Sequence, residues 1–158
     1  MFQHSMRAYF LPLIAGFALM ASAFMPWIMM GDVRAGGVPD VGGLWVLALG
    51  GVAVILAALS FYTRKNSRHP LLLVGLAAFA ILIVTEKLME RSMVEQAWAR
   101  AQALSIVEGG VPADVPEPLM ALGAYLGLAA AATITLFGLT IVVRRVATPF
   151  VVSEDDDV

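Results

Sequence analysis

The chain has 158 residues, 60% of them hydrophobic and 14% charged, with a net charge of −2 and no cysteine. A soluble domain carries roughly a quarter of its residues as charged side chains, so the composition points away from one, and the slight negative charge offers no footprint for nucleic acid. Without cysteine there is no disulfide, zinc–thiolate site, haem attachment motif or iron–sulfur cluster, and no cofactor is expected.

The apolar residues fall in blocks long enough to cross a bilayer, which takes roughly 20 residues each. After a short amino end carrying Arg7, the first span is expected over about 9–30, with Pro12 near its start, where proline is tolerated. Ala21-Ser22-Ala23 has the small side chains of a signal-peptidase site. The apolar run continues through Phe24–Met30, however, and an uncleaved span is expected. Gly31–Gly43 reads as a tight loop dense in Gly, Pro and Asp, with Trp27 and Trp45 flanking it at the headgroup level. The second span covers about 44–62 and a basic turn, Thr63–His69, follows.

Pro70 opens the third span, 70–90. Its purely apolar part, Leu71–Val84, reaches only about 21 Å, short of a hydrocarbon core of roughly 30 Å. The helix must therefore run on through Thr85, Glu86 and Lys87. Residues 85–108 keep a helical pattern. Met89, Met93, Val94, Ala97, Trp98, Ala101 and Leu104 share one arc, with Arg91, Glu95 and Gln102 opposite. Arg91 and Glu95 have the spacing of an i,i+4 surface pair. Gly109-Gly110 stops the helix. Val111–Pro118 is an extended, proline-rich connector. A fourth span follows over about 118–143, stopped by Arg144-Arg145, and residues 148–158 form an acidic cytoplasmic tail.

These segments predict an all-α membrane protein. One domain, residues 1–147, holds a four-span transmembrane helix bundle whose third helix extends beyond the bilayer on the outer face. Lys and Arg concentrate at Arg7, in the turn with Arg64, Lys65 and Arg68, and at Arg144 and Arg145. Both termini are therefore expected on the cytoplasmic side. Richness in Ala, Gly and Val fits a bacterial cytoplasmic membrane.

Three groups are candidates for chemistry. Glu86 and Glu90 interrupt the apolar arc one turn apart, where a carboxylate near hydrocarbon needs a partner. Arg34 on the opposing loop is the first expected partner and Lys87 the second. The favoured reading is a salt-bridge cluster pinning the Gly-rich loop, and the rival is a proton or cation site. Met25, Met29, Met30, Met89, Met93 and Met120 gather toward the outer face. Thioethers select Cu(I), so Met25, Met29, Met89 and Met93 form a candidate copper cluster. Flexible core filling is the stronger reading. Gly123, Gly127 and Ala131 form a small-xxx-small stripe, expected to serve packing within the bundle rather than a dimer seam, with Ala53 and Ala57 a weaker counterpart. His4 and His69 both fall on the cytoplasmic side, which leaves no spanning histidine for haem. No nucleophile triad or phosphate-binding glycine loop is present.

Trp27 with the later Gly43-Leu44-Trp45 resembles the W…GLW signature of claudins. The cysteine pair that follows it in that family is missing and the loop is short for that family's outer sheet, so no property is carried over. The expected function is a non-enzymatic accessory or scaffold role in a membrane complex, docking a protein partner or a second copy through the outer helix and the Gly-rich loop. A small ion-coupled transporter using Glu86 and Glu90 is the alternative.

Overall fold

The computed structural model describes residues 9–63 and 68–146, with side chains described through residue 140. The acidic tail, Arg7, His4, Arg64 and Lys65, and the side chains of Arg144 and Arg145, lie outside the described residues. The elements in order are α1 (Phe10–Ser22), β1 (Ile28–Met30), β2 (Val33–Ala35), α2 (Val41–Thr63), α3 (Arg68–Glu108), β3 (Leu119–Met120) and α4 (Leu122–Val146). Three helices are long and apolar enough to cross a membrane: Val41–Thr63, Arg68–Glu108, and α4 over Leu122–Thr140. The helices pack α1 on α2, α2 on α3, α3 on α4 and α4 on α1, which closes a ring around one core.

The first helix is shorter than the sequence predicts. It stops at Ser22 instead of running to Met30, and its 13 residues reach only about 20 Å. Local chemistry ends it. The amide N–H groups of Ala23, Phe24 and Met25 turn to carbonyls three residues back, tightening the last turn, and Pro26 has no N–H to continue the ladder. The Ala23 carbonyl instead accepts the Val38 N–H at 2.6 Å. Of Ala21-Ser22-Ala23, the last two owe their small side chains to packing, since Ser22 and Ala23 are both fully buried, while Ala21 is exposed.

Nor is the chain all α. Residues 28–35 form a hairpin in place of the expected loop, and β3 joins it to give an antiparallel sheet in the order β2-β1-β3. Met30 pairs with Val33 around the two-residue turn Gly31-Asp32. Gly31 takes φ 57°, the left-handed conformation such turns demand and glycine adopts without a Cβ penalty. On the other side Ile28 pairs with Met120 and Met29 with Leu119. That pairing delays α4, which begins at Leu122 rather than at 118.

Trp27 sits at the centre of this end of the bundle, with none of its surface exposed. Its backbone N–H donates to the Ala35 carbonyl at 2.9 Å, and its carbonyl accepts the Ala121 N–H at 2.7 Å. Its indole N–H donates to the Ser22 carbonyl at 3.0 Å. It is a core residue, enclosed by its own chain rather than open to the surroundings. Trp45, by contrast, is exposed. At the opposite end an aromatic cluster ties the helices. The Tyr9 ring meets Phe137 edge-on at 5.1 Å and Phe61 at 6.3 Å, and Arg68 lies over the Phe137 ring at 5.3 Å.

Small residues set the helix spacing. Ala53, Ala57, Ala78 and Ala131 are fully buried. A Cβ on Gly75 would lie 2.7 Å from the Thr135 backbone nitrogen, so α3 and α4 touch backbone to backbone there. Such contact supplies the packing that associates helices in lipid. Gly75→Ala is therefore expected to lower stability by about 1–3 kcal/mol, as overpacking does. Gly51, with nothing within 4 Å of its would-be Cβ, gives the control: Gly51→Ala should be neutral or gain up to about 1 kcal/mol in helix propensity. Thermal unfolding in mild detergent measures both.

Candidate functional site

The third helix carries the residues singled out for chemistry. It runs unbroken for 41 residues, about 61 Å. The Thr85 side chain packs against Gly42 in the first turn of α2, so everything from Glu86 onward stands past that turn. The 23 residues Glu86–Glu108 reach about 35 Å further. Gly109–Pro118 then has ten residues to return to β3. Extended backbone of that length spans at most about 36 Å, so the connector runs back along α3. Met89, Glu90, Met93, Val94, Ala97, Ala101 and Ser105 are half-buried along one stripe of the helix. The amphipathic arc is thus met in part by its own chain. Trp98, Leu104, Ile106 and Val107 remain exposed.

Glu86 is buried, at 8% exposure, while Glu90 is half-buried. Lys87 joins them. Its Nζ donates to Glu90 Oε2 at 2.6 Å and stands 3.7 Å from Glu86 Oε2. All three lie on α3, so the cluster is local to one helix. Arg34 does not take part. It sits on β2, opposite Met29 and exposed, and no ion pair links it to either carboxylate. The expected clamp between α3 and the loop is therefore absent. The loop is held by backbone contacts instead: Val38 N–H to the Ala23 carbonyl, and Gly36 flat against Trp27, where a Cβ would come within 2.7 Å of the Trp27 Cβ. The expected pair of Arg91 with Glu95 does not form either.

A transport pathway would need polar groups continuing inward from Glu86. Among the described residues, the other buried polar side chains are Ser22 and Ser60. Both donate to carbonyls of their own helices, Leu19 and Leu56. The depression beside Lys87 and Glu90 is lined by residues of α3 alone. The threonines of α4 behave likewise: Thr133, Thr135 and Thr140 donate to Ala129, Ala131 and Phe137.

The methionines separate. Residues paired across an antiparallel sheet share a face, and alternate residues along a strand do too. Met30 and Met120 therefore lie with Ile28 on the buried face, and Met29 lies with Arg34 on the other. Met89, Met93 and Met120 pack against the core. Met25 borders Gly123, whose would-be Cβ lies 2.8 Å from the Met25 Cβ. The four thioethers Met25, Met29, Met89 and Met93 are split by the sheet rather than gathered. No cluster of His, Asp or Glu suited to a metal occurs among the described residues. Gly123, Gly127 and Ala131 all face the interior. Gly123 meets Pro26 and Met25, Gly127 meets Ser22 and Leu82, and Ala131 is fully buried. The stripe is used up within one chain.

Sequence reasoning missed the hairpin and the return of the connector. The signal for the first was present: a Gly-Asp pair between Ile28-Met29-Met30 and Val33-Arg34-Ala35 is a two-residue hairpin pattern. No family model, no curated protein and no solved structure matches the chain.

The charge assignment is tested by double-mutant cycles on thermal stability. Arg34→Gln with Glu86→Gln, or with Glu90→Gln, should be additive within error. Lys87→Gln with Glu90→Gln should not be. Coupling in the first cycles and none in the last would restore the clamp through Arg34.

Proposed function

We propose that the protein is a four-span accessory or scaffold subunit of a membrane complex, with both termini cytoplasmic and the third helix standing out of the outer face as a docking arm. The observation that carries this reading is the outer end of α3. Ile106 and Val107 are 82% and 83% exposed, and Trp98 and Leu104 are also open. They lie in the last turns of a helix of about 61 Å in which roughly 30 Å suffices to cross hydrocarbon. Apolar side chains grouped outside lipid and left uncovered by their own chain are the usual mark of a protein contact. The Gly-rich loop has a smaller part in this, because its glycines are taken up by close packing on Trp27 and Ala23. A bacterial cytoplasmic membrane fits the composition.

The rival reading, an ion-coupled transporter, draws on the burial of Glu86 and lacks a polar path leading from it. A Cu(I) function for Met25, Met29, Met89 and Met93 draws on thioether chemistry alone.

Two measurements test the proposal. Reporter fusions at Lys65 and at the carboxyl end should report cytoplasm, and fusions at Gly36 and Ser105 the outer side; the reverse at Lys65 would turn the arm inward. Gentle extraction should then co-purify a stoichiometric partner. Ile106→Ser with Val107→Ser should release it without changing the thermal stability of the bundle. Retention of the partner by that variant, with an ion-dependent activity lost in Glu86→Gln, would favour the transporter.

A further inference from the structure

A groove of about 680 Å³ runs between the first turn of α2 and the middle of α3. Its lining includes the contact of Gly42 with Thr85, where the Thr85 side chain packs directly on the α2 backbone. Trp45, from α2, and Val84 and Leu88, from α3, form its walls, and all three are exposed. It extends along α3 from Ala80 to Ser92, about 18 Å of helix. The lining changes character along that length. Ala80, Ile81 and Val84 make the inner end wholly apolar, and Asp40 and Ser92 stand at the outer end.

The polar groups at the outer end are unspent. The other described threonines, Thr63 among them, donate to carbonyls of their own helices. The Thr85 hydroxyl makes no hydrogen bond within the described chain, and Ser92 only accepts one, from Gln96 Nε2. The Asp40 carboxylate is exposed and has neither an ion pair nor a side-chain hydrogen bond. An apolar slot with a hydrogen-bonding, anionic mouth is complementary to an amphiphile with a cationic head. Its volume is that of a small-molecule site. It has room for one acyl chain and part of a headgroup, whereas a helix about 10 Å across would overfill it.

We propose that this groove seats one phospholipid of the surrounding bilayer bearing a primary ammonium headgroup. One of its two acyl chains lies along Ile81, Val84 and Leu88 while the other stays in the bilayer, and its ammonium pairs with Asp40. The Thr85 and Ser92 hydroxyls donate to its phosphate or ester oxygens. An anionic headgroup would set like charge against Asp40. The inference rests on α2 and α3 crossing the bilayer and not on the docking arm, so loss of a protein partner leaves it standing.

Trp45 is the reporter. In the full-length Trp98→Phe protein, Trp27 is buried and Trp45 lines the groove. The protein is reconstituted in phosphatidylcholine vesicles containing a minor fraction of phosphatidylethanolamine or phosphatidylglycerol with brominated acyl chains. Trp45 quenching should saturate, and the ethanolamine lipid should reach half-quenching at a mole fraction about two- to fivefold lower, as one exposed ion pair provides. Asp40→Asn, which removes the charge and nearly keeps the shape, should erase the preference. N-acetylation of the ethanolamine lipid should erase it with no change to the protein. Quenching that rises linearly and equally for both lipids would reduce the groove to ordinary boundary lipid and overturn the proposal, as would preference for phosphatidylglycerol. Trp45 shielded from both lipids, with Ser92→Cys cross-linking to a second copy, would assign the groove to a dimer and overturn it as well.

Discussion

The arrangement depends on Trp27. This one residue is bonded through its N–H to Ala35, through its carbonyl to Ala121 and through its indole to Ser22. Three separate stretches of chain, the end of α1, the return strand of the hairpin and the entry to α4, therefore meet at one buried side chain. An unpaired buried N–H or C=O costs about 1–3 kcal/mol, so each of these bonds also removes a penalty that irregular backbone would otherwise carry. The close approach of Gly36 to the root of its side chain follows from the same constraint: any side chain there would push the hairpin off Trp27.

Below that point the helices are held by shape. Glycine and alanine occupy many contact positions, and Ser22, Ser60 and Thr135 turn their hydroxyls onto their own backbones. Large apolar side chains lie inside, as Leu19, Leu71 and Ile134 do, but many others, among them Phe17, Ile55 and Leu136, are on the outside. Such an apolar exterior is what lipid permits. Burying leucine against leucine gains little where the solvent is itself apolar, whereas close backbone contact does gain dispersion energy.

The helical segments were legible in the sequence because run length and period are set by residues close together in the chain. The uninterrupted α3 follows from the absence of Gly and Pro between Leu76 and Glu108. The inward turn of Gly123, Gly127 and Ala131 follows from their four-residue spacing. What was not legible depends on partners distant in sequence. Pro26 marks the end of α1 locally, but the path the chain then takes is set by Val38 and Ala121, which bond Ala23 and Trp27, and hydropathy carries no trace of that. Trp27 and Trp45 look alike in the sequence, yet one is enclosed and the other faces outward, because only Trp27 lies under the hairpin. The charge cluster shows the same limit. Lys87 is adjacent to Glu86 and three residues from Glu90, so the local pair wins over Arg34, whose β2 position is fixed by the hairpin register.

The pairing of β1 with β3 has a mechanical meaning. The arm formed by the carboxyl-terminal half of α3 and its returning connector is fixed at two feet, one where Thr85 meets Gly42 and the other where Leu119 meets Met29. A rod anchored at a single foot can swivel freely. A strut anchored at two transmits a sideways load into whatever holds its feet. Force applied near Ile106 would therefore be delivered to β1, and through Trp27 to the last turn of α1, rather than being dissipated in the connector.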